Sequence, residues 1–239
     1  MSDLTEAFGL ALGLVVSLDA ALLEIVCRSL AISLTAVVVA SAIGLPLGAA
    51  IAVWRFPGRR VVVVMLNALM ALPPVFIGLM LYVILSRAGP LGFLGLLFTP
   101  TAMILAQCVL VLPIVAALSH RLLRDLYQSY REQLCSLGAS LSQVAVTLLW
   151  DARASLVTVV MAGFGRAIAE VGAVLIVGGN IAHATRVMTT TIALETSKGN
   201  LALALALGMV LVLVAIGVSA TAAIMVGAAR PRARALRWG

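Results

Sequence analysis

Arg166 and Glu170 are the two residues whose types and spacing most directly suggest chemistry, because they interrupt the apolar run of residues 154–177. Four apart on a helix, a guanidinium and a carboxylate share one face. A charge at the bilayer centre costs at least about 2.5 to 3.5 kcal/mol on insertion scales, so each needs the other or a wet cavity. Two roles fit the pair: an intramembrane ion pair that locks packing, or a charged lining for an anion's path. A second group follows in Asn180, Thr185, Arg186, Thr189, Thr190 and Thr191. Amide and hydroxyl donors can hold a polar solute weakly, and a basic rim raises the local concentration of an anion. Arg186, with Glu195 and Lys198, also reads as an ordinary hydrated loop, which leaves Asn180, Thr189, Thr190 and Thr191 as candidates for a translocation path or gate.

Other chemistries lack their residues. Cys27, Cys108 and Cys135 are far apart, as are His120 and His183, so neither a disulfide framework, a metal site nor a nucleophile with its base is supported. The chain has no Gly-x-x-x-x-Gly-Lys-[Ser/Thr] phosphate loop, the cradle an ATP motor needs. No catalytic residue, resident cofactor or metal is expected.

The elements that must position these groups are membrane spans. Of 239 residues, 63% are hydrophobic and 10% charged, against about half and a quarter in soluble domains. Several apolar runs exceed the roughly 20 residues that cross a hydrocarbon core of about 30 Å. The net charge of +7 sits in short loops and at the C-terminus, where arginine sets topology, so nucleic acid is not an expected partner.

Taken in order, residues 1–28 read as an N-terminal interfacial helix or elbow, with a sixth span as the alternative. Residues 29–227 form the membrane domain, with about five core spans. The first covers 29–53, and Arg55, Arg59 and Arg60 mark the next loop as cytoplasmic. The second, 61–86, must bend at Pro73-Pro74, which lack N–H groups. The third, 99–119, carries Gln107 and Pro113, and residues 120–153 then lie in the cytoplasm. The fourth is 154–177, followed by an external connection over 178–199. The fifth is 200–227, and the basic tail 228–239 returns to the cytoplasm.

The segment 120–153 is polar and helix-forming between two apolar halves. Leu134, Leu137, Leu141, Val144, Ala145 and Leu148 recur at steps of three and four, an apolar stripe on one face. Gly138 suits a C-terminal cap, and Ser140 with Gln143 makes a capping-box pattern that restarts the helix. A helix, a glycine knuckle and a second helix could lie on the inner membrane surface or dock on a partner.

Glu132 followed six residues later by Gly138-Ala139 resembles the EAA motif of ABC importer permeases. Gln133 and Leu134 stand where that motif usually has alanines, and Trp150-Asp151 where a Leu-Pro often follows. Downstream, Gly163-Phe-Gly-Arg-Ala-Ile-Ala-Glu-Val-Gly-Ala-Val-Leu-Ile-Val-Gly-Gly-Asn-Ile181 and Thr185-Arg-Val-Met-Thr-Thr-Thr-Ile-Ala-Leu-Glu-Thr-Ser-Lys-Gly-Asn200 are similar to the permeases of tungstate importers, kin of molybdate and sulfate permeases. The stretches Met70-Ala-Leu-Pro-Pro-Val-Phe-Ile-Gly78 and Gly89-Pro-Leu-Gly-Phe-Leu-Gly95 are similar too.

That resemblance implies an all-α type I ABC importer transmembrane domain in a bacterial or archaeal cytoplasmic membrane, surrounded by lipid. It implies a homodimer, a cytoplasmic ABC ATPase dimer that binds the ATP and Mg, and an extracytoplasmic oxyanion-binding protein. Glu132, Gly138 and Ala139 would be the ATPase-coupling positions. The implied function is import of an oxyanion, foremost tungstate, by ATP-driven alternating access. Molybdate or sulfate transport of the same type is the alternative, and a passive anion channel, which would need no ATPase, is a further one.

Overall fold

A bilayer offers no water to free N–H and C=O groups, so a span must satisfy its backbone internally, and the apolar runs of this chain fold accordingly as helices. A computed structural model describes Gly9, Leu12, Gly13, Val16, Ser17 and residues 19–228, and no strand occurs among them. The helices are α1 Ala20–Val53, α2 Arg59–Met70, α3 Pro74–Leu85, α4 Pro100–Ser136, α5 Leu141–Asp151, α6 Arg153–Ile168, α7 Gly172–Gly178, α8 Met188–Ser197 and α9 Leu201–Ala228, with a 3-10 turn at Gly92–Leu94. Of the expected interfacial helix, residues 1–8, 10, 11, 14, 15 and 18 lie outside the described residues, as does the basic tail beyond Ala228.

Among the described residues, α1, α4 and α9 are long and apolar enough to cross a membrane. Counting α2 with α3, and α5 with α6, as broken spans brings the number to as many as five. Three boundaries differ from the sequence expectation. α1 starts at Ala20 rather than Ser29, because the Asp19 carboxylate accepts from the Ala21 and Leu22 N–H groups, each at 3.0 Å, the bonds an N-cap provides. α4 continues without a break from its apolar start through Ser136, so the polar segment begins as an extension of the third span. The fourth span is not one helix: it breaks after Ile168 and resumes at Gly172.

The chain forms two compact units. One comprises residues up to Ala36, Pro73–Val109 and Gly165–Gly217. Here α3 packs on α7, with Ile77, Ala173 and Val174 buried. The Phe98 N–H donates to the Val177 carbonyl at 2.9 Å, and Tyr82 meets the Phe98 ring edge-on at 6.2 Å. α3 begins at Pro74 after an extended Pro73, consistent with a proline pair that cannot continue α2.

The other unit comprises Val37–Leu72, Leu110–Phe164 and the chain from Val218. Ile51, Leu66, Ala116 and Ala117 form a buried cluster, with Val63 and Met70 against it. α1 crosses α4 at Gly48, where a Cβ would stand 2.8 Å from the Ala116 carbonyl oxygen and closer still to Ser119 Oγ. Glycine is therefore a packing requirement there. Between α5 and α6 the chain turns through 76°.

Candidate functional site

The end of α4 and all of α5 form the first candidate site. Gly138 adopts φ 67°, the left-handed geometry that glycine enters without Cβ strain. There the Ala139 N–H reaches back to the Leu134 carbonyl at 3.2 Å, closing the helix. Two residues on, the Ser140 N–H donates to Gln143 Oε1 at 2.9 Å, and the Gln143 N–H donates to Ser140 Oγ at 3.4 Å. This reciprocal capping box starts α5.

The single apolar stripe read across this segment divides in two. Val144, Ala145 and Leu148 are buried, whereas Leu137 is 79% exposed and Leu141 is exposed as well. The glycine knuckle redirects the axis, so Leu137 before it no longer shares a face with Val144, Ala145 and Leu148, and Leu141 is exposed as the first residue of α5. Trp150, 71% exposed, and Val146, 67% exposed, add large apolar surface to α5. The Arg153 guanidinium lies 5.0 Å from the Trp150 ring centroid and donates to its carbonyl, which steadies that side chain. Glu132 and Gly138 are exposed and Ala139 is half-buried.

The second site surrounds the break after α6. Arg166 Nη1 donates to Glu170 Oε2 at 2.6 Å. The partners differ in solvent access: Glu170 is 3% exposed and the Arg166 side chain 33%. The other carboxylate oxygen, Oε1, accepts from the Ala173 N–H at 3.1 Å and so caps α7. The Glu170 main-chain carbonyl accepts from Thr189 Oγ1 at 2.8 Å. Glu170 thus lies beyond the last turn of α6 rather than within a continuous helix, and its three acceptors hold α6, α7 and α8 together.

The connection after α7 and the first turn of α8 contain the third group. Thr189, Thr190 and Thr191 are all buried. Thr190 Oγ1 donates to Asn180 Oδ1 at 3.0 Å and accepts from the Val187 N–H at 3.2 Å, and Thr191 Oγ1 donates to the Val187 carbonyl at 2.7 Å. In this conformation each hydroxyl proton already has an acceptor within the chain, so none is free for an anion. Asn180 and His183 adopt φ values of 51° and 59°. Thr185 lies fully buried, donating to the Gly178 carbonyl and accepting from the Ile181 N–H. His183 Nδ1 lies 3.1 Å from Glu24, which also pairs with Arg28 at 2.7 Å, and Arg28 donates to the His183 carbonyl. Beyond α8's last turn, the Lys198 ammonium, 2.9 Å from Glu195, holds that carboxyl below its ordinary range, and Asn200 adds a second donor.

A buried polar network joins α1, α4 and α8. Ser29 Oγ donates to the Ile25 carbonyl and accepts from the Met188 N–H, both at 2.7 Å. Gln107 Nε2 reaches the Ala167 carbonyl at 3.0 Å and Ser33 Oγ at 3.3 Å. The sequence signal was there in two serines four apart and a glutamine within apolar spans, but it did not disclose their partners.

The family model described as "Binding-protein-dependent transport system inner membrane component" matches residues 44–234. The chain is 41% identical over 200 residues to a tungstate uptake system permease protein from Peptoclostridium acidaminophilum, covering 84% of this chain and 88% of that one. It is 40% identical over 185 residues to a probable anion ABC transporter permease protein from Haloferax volcanii, covering 75% and 80%. A tungstate uptake system permease protein from Campylobacter jejuni is 40% identical over 149 residues, covering 62% of each chain.

Proposed function

The chain belongs to the binding-protein-dependent transport system inner membrane component family, and from that membership we propose that it is the permease subunit of an ABC importer for a tungstate-type oxyanion. The observation that carries the substrate class is the 41% identity over 84% of the chain to a tungstate permease. Molybdate and sulfate share the tetrahedral dianionic form, and the external binding protein would select among them.

In this reading the permease works as a homodimer, two cytoplasmic ATPase subunits hold ATP and Mg, and an external protein delivers the anion. α5, with its exposed Trp150, Val146 and Leu141, docks on the ATPase. Large exposed apolar side chains gathered on one short helix are characteristic of protein contacts. Glu132, Gly138 and Ala139 couple ATPase closure to the permease. Closure pulls on α5, and because α5 follows α4 through only the Gly138 knuckle, the pull reaches α4 directly. The spans then alternate between inward and outward openings.

At the other end, Asn180, Thr189, Thr190 and Thr191 brace the external connection as part of an outer gate. When the brace releases, the hydroxyls and the amide exchange carbonyl partners for the oxyanion. Arg166 and Glu170 serve as a structural ion pair for the broken span.

The test is ATP-dependent uptake of tungstate into proteoliposomes holding the permease, its ATPase and its binding protein. Uptake that needs all three supports the proposal. Tungstate flux without ATPase would overturn it in favour of a passive channel. Thr189→Val and Thr190→Val variants that fold and transport at the wild-type rate would remove the gate residues from this scheme.

A further inference from the structure

Four arginines that the sequence explains only as topology signals meet at one place. Arg55, Arg59 and Arg60 come from the α1–α2 connection, and Arg124 comes from α4, more than sixty residues later. Together they line an open depression of about 810 Å³, and no acid lines it. The positive-inside tendency accounts for arginine in a cytoplasmic loop. It does not account for an arginine from a distant helix turning to the same cavity.

The convergence is built. Arg121 donates to Asn67 Oδ1 and so ties α4 to α2, and Arg124, three residues on, shares that face of α4. Arg59 is anchored by a 2.9 Å bond from Nη2 to the Ala52 carbonyl. Among the described residues, the side chains of Arg55, Arg60 and Arg124 have neither an ion pair nor a hydrogen bond. α2 also starts at this depression: its first turn has no acidic residue, and no side chain caps it. Its free N–H groups and its dipole favour a negative group there.

The remaining walls are apolar. Val61 and Val64 are 64% and 65% exposed and Phe56 is 40% exposed. A free phosphate or oxyanion would use the arginines and leave these side chains unexplained. A ligand with a phosphodiester and an acyl chain uses both, and basic pockets between spans on the cytoplasmic side are suited to such headgroups.

We infer that this depression is a binding site for one acidic phospholipid of the inner leaflet, its phosphate held by Arg55, Arg60 and Arg124 at the start of α2 and an acyl chain lying on Val61 and Val64. The site is distinct from α5 and from the external connection. It would fasten the α1–α2 connection to α4 through a lipid that both hold.

Native mass spectrometry of the purified permease–ATPase complex, titrated with dioleoylphosphatidylglycerol and separately with dioleoylphosphatidylcholine, tests this. One phosphatidylglycerol per permease should bind at least about tenfold tighter than phosphatidylcholine. Each arginine removed should weaken it about fivefold, from roughly 1 kcal/mol per basic residue near the membrane surface. Arg124→Gln is the decisive variant, because it leaves the basic loop intact, and Arg124→Lys should recover most of the affinity. Arg131→Gln, on α4 but away from the depression, should change nothing. Equal binding of the two lipids would overturn the inference, and so would an Arg124→Gln complex that binds like wild type. An equal loss in Arg131→Gln would reduce the effect to general surface charge. Displacement of the lipid by millimolar inorganic phosphate would assign the arginines to a free anion instead.

Discussion

Replacing Arg166 by alanine leaves the Glu170 carboxylate with a single hydrogen-bond partner, the Ala173 main-chain N–H, at a position 3% exposed. Removing one member of a buried ion pair costs about 3 to 5 kcal/mol, because the surviving charge keeps its desolvation penalty. The reverse change, Glu170→Gln, costs much less. The amide oxygen can still cap Ala173, and the stranded guanidinium, a third exposed, is free to turn to another acceptor. What disappears is one charge-assisted hydrogen bond, worth about 1.5 kcal/mol at the low end and less where solvent screens it. The Arg166→Ala/Glu170→Gln double change removes both charges and should resemble Glu170→Gln alone. At about 2 to 4 °C per kcal/mol for a chain of this size, Arg166→Ala should lower the unfolding temperature by roughly 6 to 20 °C and the other two variants by no more than roughly 6 °C. Thermal scanning of the detergent-solubilised complex by tryptophan fluorescence reads this directly. If Glu170→Gln is as damaging as Arg166→Ala, or if the double variant is worse than either, the pair is not the unit described here.

Three further outcomes are expected. Gly48→Ala should abolish recovery of monodisperse protein, since the new methyl would collide with Ser119 and the Ala116 carbonyl, while Gly165→Ala, with no neighbouring atom within 4 Å, should behave as wild type; size-exclusion profiles of the two decide it. Gly138→Ala should cost about 1 to 2 kcal/mol of knuckle stability, the penalty for an L-residue at left-handed φ, and Gly138→Trp should also lose ATPase co-purification; a Gly138→Trp subunit that retains coupled uptake would separate the knuckle from coupling. Because Lys198 holds the folded Glu195 carboxyl below its unfolded value, that pairing contributes stability above about pH 4.3 and loses it as pH falls through the lower folded value. Hydrogen exchange over residues 195–200 should therefore speed up on acidification in wild type, with the acid-dependent part absent in Glu195→Gln.

The helical form of the apolar runs, the proline break before α3 and the capping of α5 were legible because each depends on local chemistry: run length, missing N–H groups, and a serine three residues before a glutamine. The start of α1 was legible in principle too, as Asp19 is an N-cap residue standing ahead of an apolar run. The break between α6 and α7 was not. Ala-Ile-Ala-Glu-Val-Gly contains good helix formers, and what stops the helix is tertiary: the Glu170 carboxylate turns to cap Ala173 while its carbonyl takes the Thr189 hydroxyl. The threonines illustrate the same limit. Their types suggested donors for an anion, but composition could not reveal that Asn180 and the Val187 and Glu170 carbonyls occupy them. Likewise, nothing local to Arg124 foretold its meeting with Arg55 and Arg60.

The uninterrupted course of α4 from Pro100 to Ser136 makes its length a matter of phase. Each residue added to an α-helix rotates everything beyond it by about 100° and advances it about 1.5 Å. An insertion of one residue between Gln107 and Glu132 would therefore turn the Gly138 knuckle and α5 by a quarter turn or more, with both ends of the helix locally intact. Seven residues, close to two full turns, would restore the azimuth while moving the knuckle outward by about 10 Å. The connections on either side of α2 and α8 can change length by rerouting a loop. α4 has no such slack, so insertions and deletions in it should be tolerated, if anywhere, only in steps that complete whole turns.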